Sequence, residues 1–254
     1  MDLIYKQFFE PVKFYGVKLE HEYKSINSCI KALEAIARLV PHSMYIIDYY
    51  KQNFLYVSPH SLFLSDSTIT EIKNMGYNYY YKLLPLEDRR FLEFINKEGF
   101  AFYYKLPEED RINYSISYDF FIYAGKSHRK ILVNQKLTPI ALNEKNQIWL
   151  ALCSMSIAPH KKRRGVIIRK AGETYHYTYD FITKQWKIVN IVNLTDNEID
   201  ILRLSEQGFS NQEIGEILFY DVNSIKFHKK QIFSKLKVKS IKEAIDYAYN
   251  NKLI

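Results

Sequence analysis

Apolar residues near the C-terminus recur at the spacing of short helices. Ile199, Leu202 and Leu204 are followed by Gly208, a residue suited to the left-handed conformation that ends many helices. Three more apolar groups follow at similar spacing: Ile214, Ile217 and Leu218; Ile225, Ile232 and Leu236; and Ala244, Ile245 and Ala248. The pattern predicts an all-α region of four short helices with tight turns, the second and third having the size and connection of a helix-turn-helix.

Helix-start signals support this division. Thr195 is followed three residues later by Glu198, and Ser210 by Glu213. Both pairs match the capping box, in which the hydroxyl accepts from the third amide and the glutamate reaches back to the cap amide. Asp221 is a suitable cap for the third helix.

The apolar pattern before residue 193 predicts an antiparallel sheet with helices. Residues 44–58 are rich in apolar and aromatic residues around a Lys-Gln-Asn turn and predict a hairpin, and residues 83–99 are amphipathic and predict a helix. Three further strand-like runs follow, each ending at a turn or a proline: 117–125, 129–142 and 147–159. This order indicates an α+β unit whose five-stranded antiparallel sheet carries helices on one face.

Two other segments flank this sheet. Residues 20–40 predict a helix, and residues 165–190 alternate in a strand-like way around two turns and predict a small β-meander. The chain is therefore expected to have four regions: 1–40, an N-terminal helical flank; 41–160, the sheet domain; 161–192, a short β-hairpin linker; and 193–254, the helical domain.

Charge is unevenly distributed over the predicted C-terminal helices. The whole chain has a formal net charge of +8, which favours an anionic partner. Residues 195–222 hold seven acidic residues and one arginine, whereas residues 223–242 hold seven lysines and no acidic residue. Several of the acids lie near helix N-termini, where negative charge is favourable. The third helix is left as the positive surface, which indicates a docking face.

A helical projection of the third helix separates its core side from its outward side. At about 100° per residue, one face holds the core stripe of Ile225, His228, Ile232 and Leu236. The opposite face holds two lysines, two polar residues and an aromatic ring: Asn223, Lys226, Phe227, Lys230 and Ser234. In a DNA major groove, apolar side chains pack on thymine methyls while lysines reach guanine edges or phosphates. A solvated lysine face, or a protein contact through Phe227, is the alternative.

The same segment resembles the LuxR-type helix-turn-helix domain of bacterial transcription regulators. The resemblance covers about residues 193–254 and rests on stretches that fall in register: Leu194, Thr195 and Glu198; Gly208, Ser210, Asn211, Glu213 and Ile214; Ser224, Ile225, Lys226 and His228; and Ile232, Lys235, Leu236 and Val238. Three positions depart from the family pattern. Gly215 replaces the usual alanine, Asp221 the usual serine cap, and Lys237 the common glycine or asparagine.

This resemblance implies roles for individual side chains. Base-edge contacts are expected from Lys226, Phe227 and Lys230. Phosphate contacts are expected from the start of the second helix and from flanking polar residues and lysines: Ser210, Asn211, Gln212, Ser224, Lys229 and Lys235. His228 is expected to be a packed core histidine. The fourth helix often forms a dimer contact in this family, the alternative being that its stripe only covers its own small core.

Net charge limits what the helical domain can do alone. Acidic and basic residues nearly cancel within 193–254, so weak non-specific DNA binding is expected at physiological salt. Dimerisation or additional basic surface would be needed. Residues 160–170, HKKRRGVIIRK, are a candidate for further phosphate contacts, with a solvated linker as the alternative.

Residues 41–160 resemble a PAS domain. The likeness is carried by YIIDYYKQNFLYVS, by LLPLEDRRFLEFI and by the three closing strands. Domains of this kind hold haem, flavin or small metabolites, or nothing. A small-molecule ligand is therefore a candidate partner, and its binding residues stay unknown. The sequence indicates no cofactor and no metal, since it lacks the reactive-cysteine motif of photoactive flavin domains, and His42, His60 and His128 are isolated.

Other classes of protein find little support. The chain shows no nucleophile–base pair, Gly-rich phosphate loop or metal spacing, so we expect no enzyme activity. It lacks the alternating βα pattern and the acidic pair of a phosphorylated receiver. No apolar run approaches the ~18 residues of a membrane span. Cys29 and Cys153 match no metal or redox spacing, which predicts inert thiols in a reducing, cytoplasmic setting.

The leading hypothesis is a one-component, DNA-binding transcription regulator in which the PAS-like domain senses a signal or forms the dimer. Its expected partners are double-stranded DNA and a second copy of the chain, with RNA polymerase as a further candidate. The alternative is a protein–protein interaction module that uses the PAS-like sheet and the helix-turn-helix without specific DNA binding. Such a module would show little salt dependence and no sequence preference.

Overall fold

The computed structural model describes residues 19–59, 61–158, 160–251 and 253–254. The chain divides into two compact units, Met1–Val189 and Asn190–Ile254. The part of the predicted N-terminal flank that precedes Leu19 lies outside the described residues.

The first unit is built on one sheet, which has eight strands among the described residues. They are β1 Ser43–Asp48, β2 Asn53–Val57, β3 Tyr114–Ala124, β4 Arg129–Leu142, β5 Ile148–Ile157, β6 Ile167–Lys170, β7 Tyr175–Asp180 and β8 Gln185–Asn190. The strand order is β2-β1-β5-β4-β3-β6-β7-β8. The pairings β1–β2, β1–β5, β4–β5, β3–β4, β3–β6 and β6–β7 are antiparallel. The predicted α+β chain with an antiparallel sheet is confirmed.

Two of the helices described in this unit, α3 and α5, begin where the sequence carries start signals. They are α1 Leu19–Ala37, α2 Ser61–Leu64, α3 Ile69–Met75, α4 Tyr79–Leu83 and α5 Leu86–Tyr103, with 3-10 turns at Gly76–Asn78 and Glu108–Asn113. Thr68 and Glu71 form a capping box at the start of α3. Pro85 precedes α5, and Glu87 and Asp88 lie in its first turn, where the helix dipole favours negative charge.

Helices pack on both faces of the sheet. Successive strand residues point to opposite faces. On β1, Tyr45 and Ile47 belong to the large core that also contains residues of α2–α5, whereas Ile46 belongs to a smaller cluster with Leu33 of α1. We expected helices on one face only. An amphipathic pattern shows that a helix packs against something, but not which face it covers.

Strands β6–β8 correct the predicted five-stranded sheet. β6 pairs with β3, with Ile168 opposite Ile116. Aromatic rings on β7 and β8 pack on α5: Phe102 lies 4.8 Å from Tyr177 and 5.2 Å from Trp186 between ring centroids. The segment that we expected to be a linker therefore extends the sheet of the first unit. A two-residue alternation predicts strands, but it does not identify the edge with which they pair.

The second unit contains α6 Asp196–Glu206, α7 Asn211–Leu218, α8 Val222–Leu236 and α9 Ile241–Asn250. Thr195 with Glu198, and Ser210 with Glu213, form capping boxes, and Asp221 accepts hydrogen bonds from the first amides of α8. These bonds satisfy helix N–H groups that otherwise lack a partner.

The core of the second unit draws on each of these helices. Its buried members are Ile201, Leu202, Ile214, Ile225, Ile232, Leu236, Ala244 and Ala248. Two positions differ from the predicted stripes: Ile201, which we did not select, is fully buried, and Ile217 is 45% exposed.

The turn between α7 and α8 brings backbone very close to Gly215. A Cβ on this residue would lie 2.5 Å from the carbonyl oxygen of Tyr220. The Tyr220 amide donates to the Gly215 carbonyl at 2.8 Å, and Phe219 adopts a left-handed conformation with φ of 59°. The glycine is therefore required by this close turn, which a family alanine would not fit without a shift of the backbone.

We expect Gly215→Ala to lower the free energy of unfolding of the second unit. The alanine would gain about 1 kcal/mol in helix propensity, but overpacking against backbone costs about 1–3 kcal/mol. Urea unfolding of the full chain, followed by helical circular dichroism, measures the difference. Gln212→Ala, at an exposed position of the same helix, is the control and should change little. A more stable Gly215→Ala would show that the turn relaxes at no cost.

Candidate nucleic-acid interface

One face of α8 turns a row of side chains to solvent. Ile225 and Ile232 are fully buried on the other side of the helix. The exposed row contains the three predicted base-contact residues and two polar neighbours: Asn223, Lys226, Phe227, Lys230 and Ser234. Phe227 is 58% exposed. The ammonium groups of Lys226 and Lys230 form no ion pair with any described residue, so both charges are available to a partner.

His228 lies between this row and the core. It is partly buried, and its ring packs 5.3 Å from the ring of Tyr220 and 6.0 Å from that of Phe227. The contacts give it a packing role beside the outward face.

Lys235, predicted to contact phosphate, is bound within the unit. Its ammonium lies 2.7 Å from a carboxylate oxygen of Glu198, which is only 4% exposed. Burial works against the charge of Glu198, but Lys235 and the amide of Thr195 outweigh it and hold the pKa of this carboxyl below its usual range. The two residues are 37 positions apart, so no local pattern in the sequence could reveal the pair.

The polar residues predicted to contact phosphate are partly used as helix caps. Ser210 Oγ accepts from the amide of Glu213 at 3.3 Å. The hydroxyl of Ser224 donates to Asp221, and this bond holds the pKa of the Asp221 carboxyl below its usual range. Gln212 is exposed and donates to Glu216 at 3.2 Å.

Two other predicted phosphate residues are only partly accessible. Asn211 and Lys229 are both half-buried. Burial lowers the pKa of Lys229. By its position in the helix Lys229 belongs to the core side, about 40° from Ile225 at 100° per residue. The outward face of α8 is therefore more open to a partner than most of the residues selected for phosphate contacts.

The basic segment 160–170 is largely engaged with acids of the first unit. Arg163 contacts the buried Asp88 at 2.6 Å, and His160 contacts the buried Asp119 at 2.8 Å. Lys170 contacts Asp110 at 2.9 Å. The remaining members include Lys161 and Lys162, which are exposed. The segment thus offers a phosphate fewer free cations than its composition suggests.

A small cavity lies inside the first unit between α5 and the sheet. Its volume is about 50 Å³, room for a few water-sized groups. Its lining includes Ile95, Gly99, Phe102 and Tyr103 from α5, Tyr118 from β3 and Ile168 from β6.

Two of the phenols that line this cavity differ in their hydrogen bonding. The hydroxyl of Tyr103 is buried and has no hydrogen-bond partner among the described residues. The hydroxyl of Tyr118 accepts from Gln135 at 3.0 Å, and Gln135 in turn accepts from Tyr45. Burial raises the pKa of both phenols, so both are neutral and able to donate a hydrogen bond.

The described part of the chain has neither a candidate metal site nor a candidate membrane span. No group of three or more His, Cys, Asp or Glu side chains there could hold a metal ion. None of its helices combines the length and apolar character needed to cross a bilayer.

The C-terminal unit matches a known protein family. Residues 192–248 match the model described as bacterial regulatory proteins, luxR family. The second unit therefore carries a luxR-family helix-turn-helix domain. The match covers the caps and core of α6–α8 and most of α9.

Curated relatives are similar in the same region. The oxygen regulatory protein NreC of Staphylococcus carnosus is 41% identical over 61 residues, as is NreC of Staphylococcus aureus strain JH9. The aligned region is 24% of this chain and 28% of each relative, so the chain spans little more than a quarter of their length.

Solved structures show two kinds of likeness. The response regulator ChrA of a heme-sensing two-component system is 39% identical over 24% of this chain and 31% of its own, with a TM-score of 0.24. VqmA of Vibrio cholerae, in a complex with ligand and DNA, covers 86% of this chain and 87% of its own at 11% identity and a TM-score of 0.34.

Lys235→Met should destabilise the second unit rather than weaken a phosphate contact. Removing the partner of a buried carboxylate should lower the free energy of unfolding by about 1–2 kcal/mol. The loss is kept to this size because the lysine is partly exposed. The pKa of Glu198 is depressed in the folded state, so this contribution is present above its unfolded pKa and is lost as pH falls. The stabilities of wild type and variant should therefore begin to converge as pH falls below the unfolded value of about 4.3 and become equal below the folded pKa of Glu198.

The same variant separates the two roles by its salt dependence. A lost phosphate contact would reduce the slope of log affinity against log salt by ~0.9, whereas the structural role leaves the slope unchanged. Lys230→Met, at an exposed lysine of the same helix, is the matched control and should leave stability intact. A stable Lys235→Met with a smaller slope would contradict the structural role.

The two cavity phenols should respond differently to loss of the hydroxyl. Tyr103→Phe should leave the free energy of unfolding unchanged or raise it by up to about 1 kcal/mol, because its hydroxyl is buried without a partner. Tyr118→Phe should lower it by about 1 kcal/mol, because Gln135 would lose its acceptor. Chemical unfolding of the full chain measures both. Equal losses would mean that Tyr103 also has a bound partner.

Proposed function

We propose that this chain is a sequence-specific DNA-binding transcription regulator of the one-component type. The observation that carries the proposal is the outward row of α8. Two unpaired lysines flank an exposed phenylalanine there, and the row lies within a luxR-family helix-turn-helix domain. A helix with one buried and one exposed basic face can enter the major groove without disturbing its own core.

The exposed row has distinct tasks in this proposal. Lys226 and Lys230 donate to guanine edges, and Phe227 packs on a thymine methyl. Phosphate contacts are proposed for Ser210, Asn211, Gln212, Ser224 and Lys229, whereas the ion pair of Lys235 with Glu198 favours a structural role for Lys235. Gln212 is exposed and lies at the N-terminal turn of α7, where the helix dipole attracts anions.

Charge favours action as a homodimer. Residues 193–254 contain nine Asp and Glu against nine Lys and Arg, a net charge of zero. Non-specific attraction to DNA is then weak, since it grows with the number of phosphates neutralised. Two linked copies of α8 would raise the effective concentration of the second helix once the first is bound. The dimer would read an inverted repeat, and RNA polymerase is a further candidate partner.

The first unit is proposed to be a PAS-like sensor or dimerisation domain over residues 41–160, flanked by α1 and by the β segment 161–192. The strand order β2-β1-β5-β4-β3, with α2–α5 on one face, supports this proposal. The cavity beside Tyr103 and Tyr118 is a candidate place for a small signal molecule. Its apolar lining and neutral phenols would suit a compact ligand with a hydrogen-bond acceptor.

A protein–protein interaction module is the second candidate. Phe219 is 95% exposed and Phe227 58% exposed, and apolar side chains of this size are enriched where proteins meet. Such a module would show no sequence preference and little salt dependence, which distinguishes it from the regulator.

Lys230→Ala tests the DNA-binding proposal. Loss of a base contact should weaken specific binding by about 1–3 kcal/mol, while the circular dichroism spectrum and the oligomeric state stay unchanged. The operator is first obtained by selecting full-length protein against a random duplex pool. Lys242→Ala, an exposed lysine on α9, is the control and should bind nearly as the wild type does. Absence of any selected sequence, with weak salt dependence, would favour the interaction module.

A further inference from the structure

Asn223 occupies the middle of the outward face of α8. At 100° per residue, it projects between Lys230 and Phe227. Its side chain is exposed, and its carboxamide forms no hydrogen bond with any described residue. Both the donor and the acceptor of this amide are therefore available to a partner.

The backbone at Asn223 is anchored by the helix cap and by a buried neighbour. Its backbone amide donates to the carboxylate of Asp221 at 2.8 Å, as part of the cap of α8. The neighbouring Ile225 is fully buried. A side chain with few rotatable bonds on an anchored first turn is held in a narrow range of directions, which is what base reading requires.

Asn223 also lies in the part of the helix that reaches furthest into a groove. In a helix-turn-helix, the N-terminal residues of the recognition helix contact base edges. Asn223 precedes Lys226 and Phe227 by three and four residues, so the three side chains are neighbours on the helix surface. Lys230 follows one turn further on.

The chemistry of the amide differs from that of the lysines. A carboxamide can donate to N7 and accept from N6 of the same adenine, a bidentate pairing that no other base offers in the same pattern. A lysine ammonium only donates, so it can serve a guanine edge or a phosphate. The row thus combines one adenine-type reader with donors for guanine and an apolar group for a thymine methyl.

We propose that Asn223 is a specificity residue that reads an adenine in the major groove. The thymine methyl contacted by Phe227 would lie about one or two base pairs away, because residues one helical turn apart are separated by ~5–6 Å and successive bases by ~3.4 Å. This inference rests on the proposed function, since it requires that α8 enters the major groove.

The experiment compares the full-length wild type with three variants by selection from a random duplex pool, followed by affinity measurements over a range of salt. Asn223→Ala should lose discrimination of about ten-fold at one base pair in each half-site, with the other positions unchanged. Asn223→Asp retains only acceptors, so its preference should move from adenine to cytosine, whose N4 group donates. An aspartate is also well tolerated in the first turn of a helix.

Gln231→Ala is the matched control. Gln231 is an exposed amide on the same helix, but it lies two turns further along and about 80° from Asn223 at 100° per residue. Its loss should leave the selected sequence unchanged. Circular dichroism of each variant verifies that α8 still folds.

The outcomes separate this inference from the function on which it rests. A wild type that selects no sequence overturns the regulator and the adenine contact together. If the wild type selects an operator and Asn223→Ala selects the same operator with equal stringency, the adenine contact alone is overturned. Affinity that falls equally for all sequences, with the salt slope unchanged because the amide carries no charge, would place Asn223 on a phosphate and overturn the adenine contact. The position-specific loss and the shift to cytosine support the proposal.

Discussion

Burial of one stripe of α8 is the interaction on which the candidate interface depends. Ile225 and Ile232 are fully buried and Leu236 nearly so. Each such side chain contributes about 1.5–3 kcal/mol when removed from water, whereas an exposed charge contributes about 1 kcal/mol or less. The core therefore sets the rotation of the helix, and the lysines follow. With 3.6 residues per turn, a helix held by this stripe must present Lys226, Phe227 and Lys230 on its other side.

The second unit uses much of its charge internally. Glu198 accepts from Lys235 and from the amide that precedes α6, and Asp221 holds the first turn of α8 together with Ser224. These bonds stabilise helix ends and a buried carboxylate. They also make Lys235 and Ser224 less available to an anionic partner. With the remaining charges near balance, base-edge geometry and dimer formation have to supply what long-range attraction does not.

In the first unit, contacts between residues far apart in the chain hold the β segment against the rest of the sheet unit. Aromatic rings on α5, β7 and β8 join the β segment to the sheet unit, and the salt bridges of Arg163 and His160 with Asp88 and Asp119 bind the chain between β5 and β6. Burial raises the pKa of Asp88, an effect that the Phe121 amide and Arg163 oppose. The cavity beside Tyr103 lies against α5, the helix that also carries Asp88 and Phe102.

The sequence by itself determined features that depend on neighbours close in the chain. Capping boxes span three residues and helical stripes three or four, so the starts of α6–α8, the buried face of α8 and the hairpins of the first unit could be read directly. Features that join distant residues were decided only by the tertiary structure. The pairing of β6 with β3, the position of α1 on the other face of the sheet and the Glu198–Lys235 pair belong to this second group. Local periodicity records which side of an element is apolar, but the partner of that side is selected by packing of the whole unit, and this selection leaves no regular spacing in the sequence.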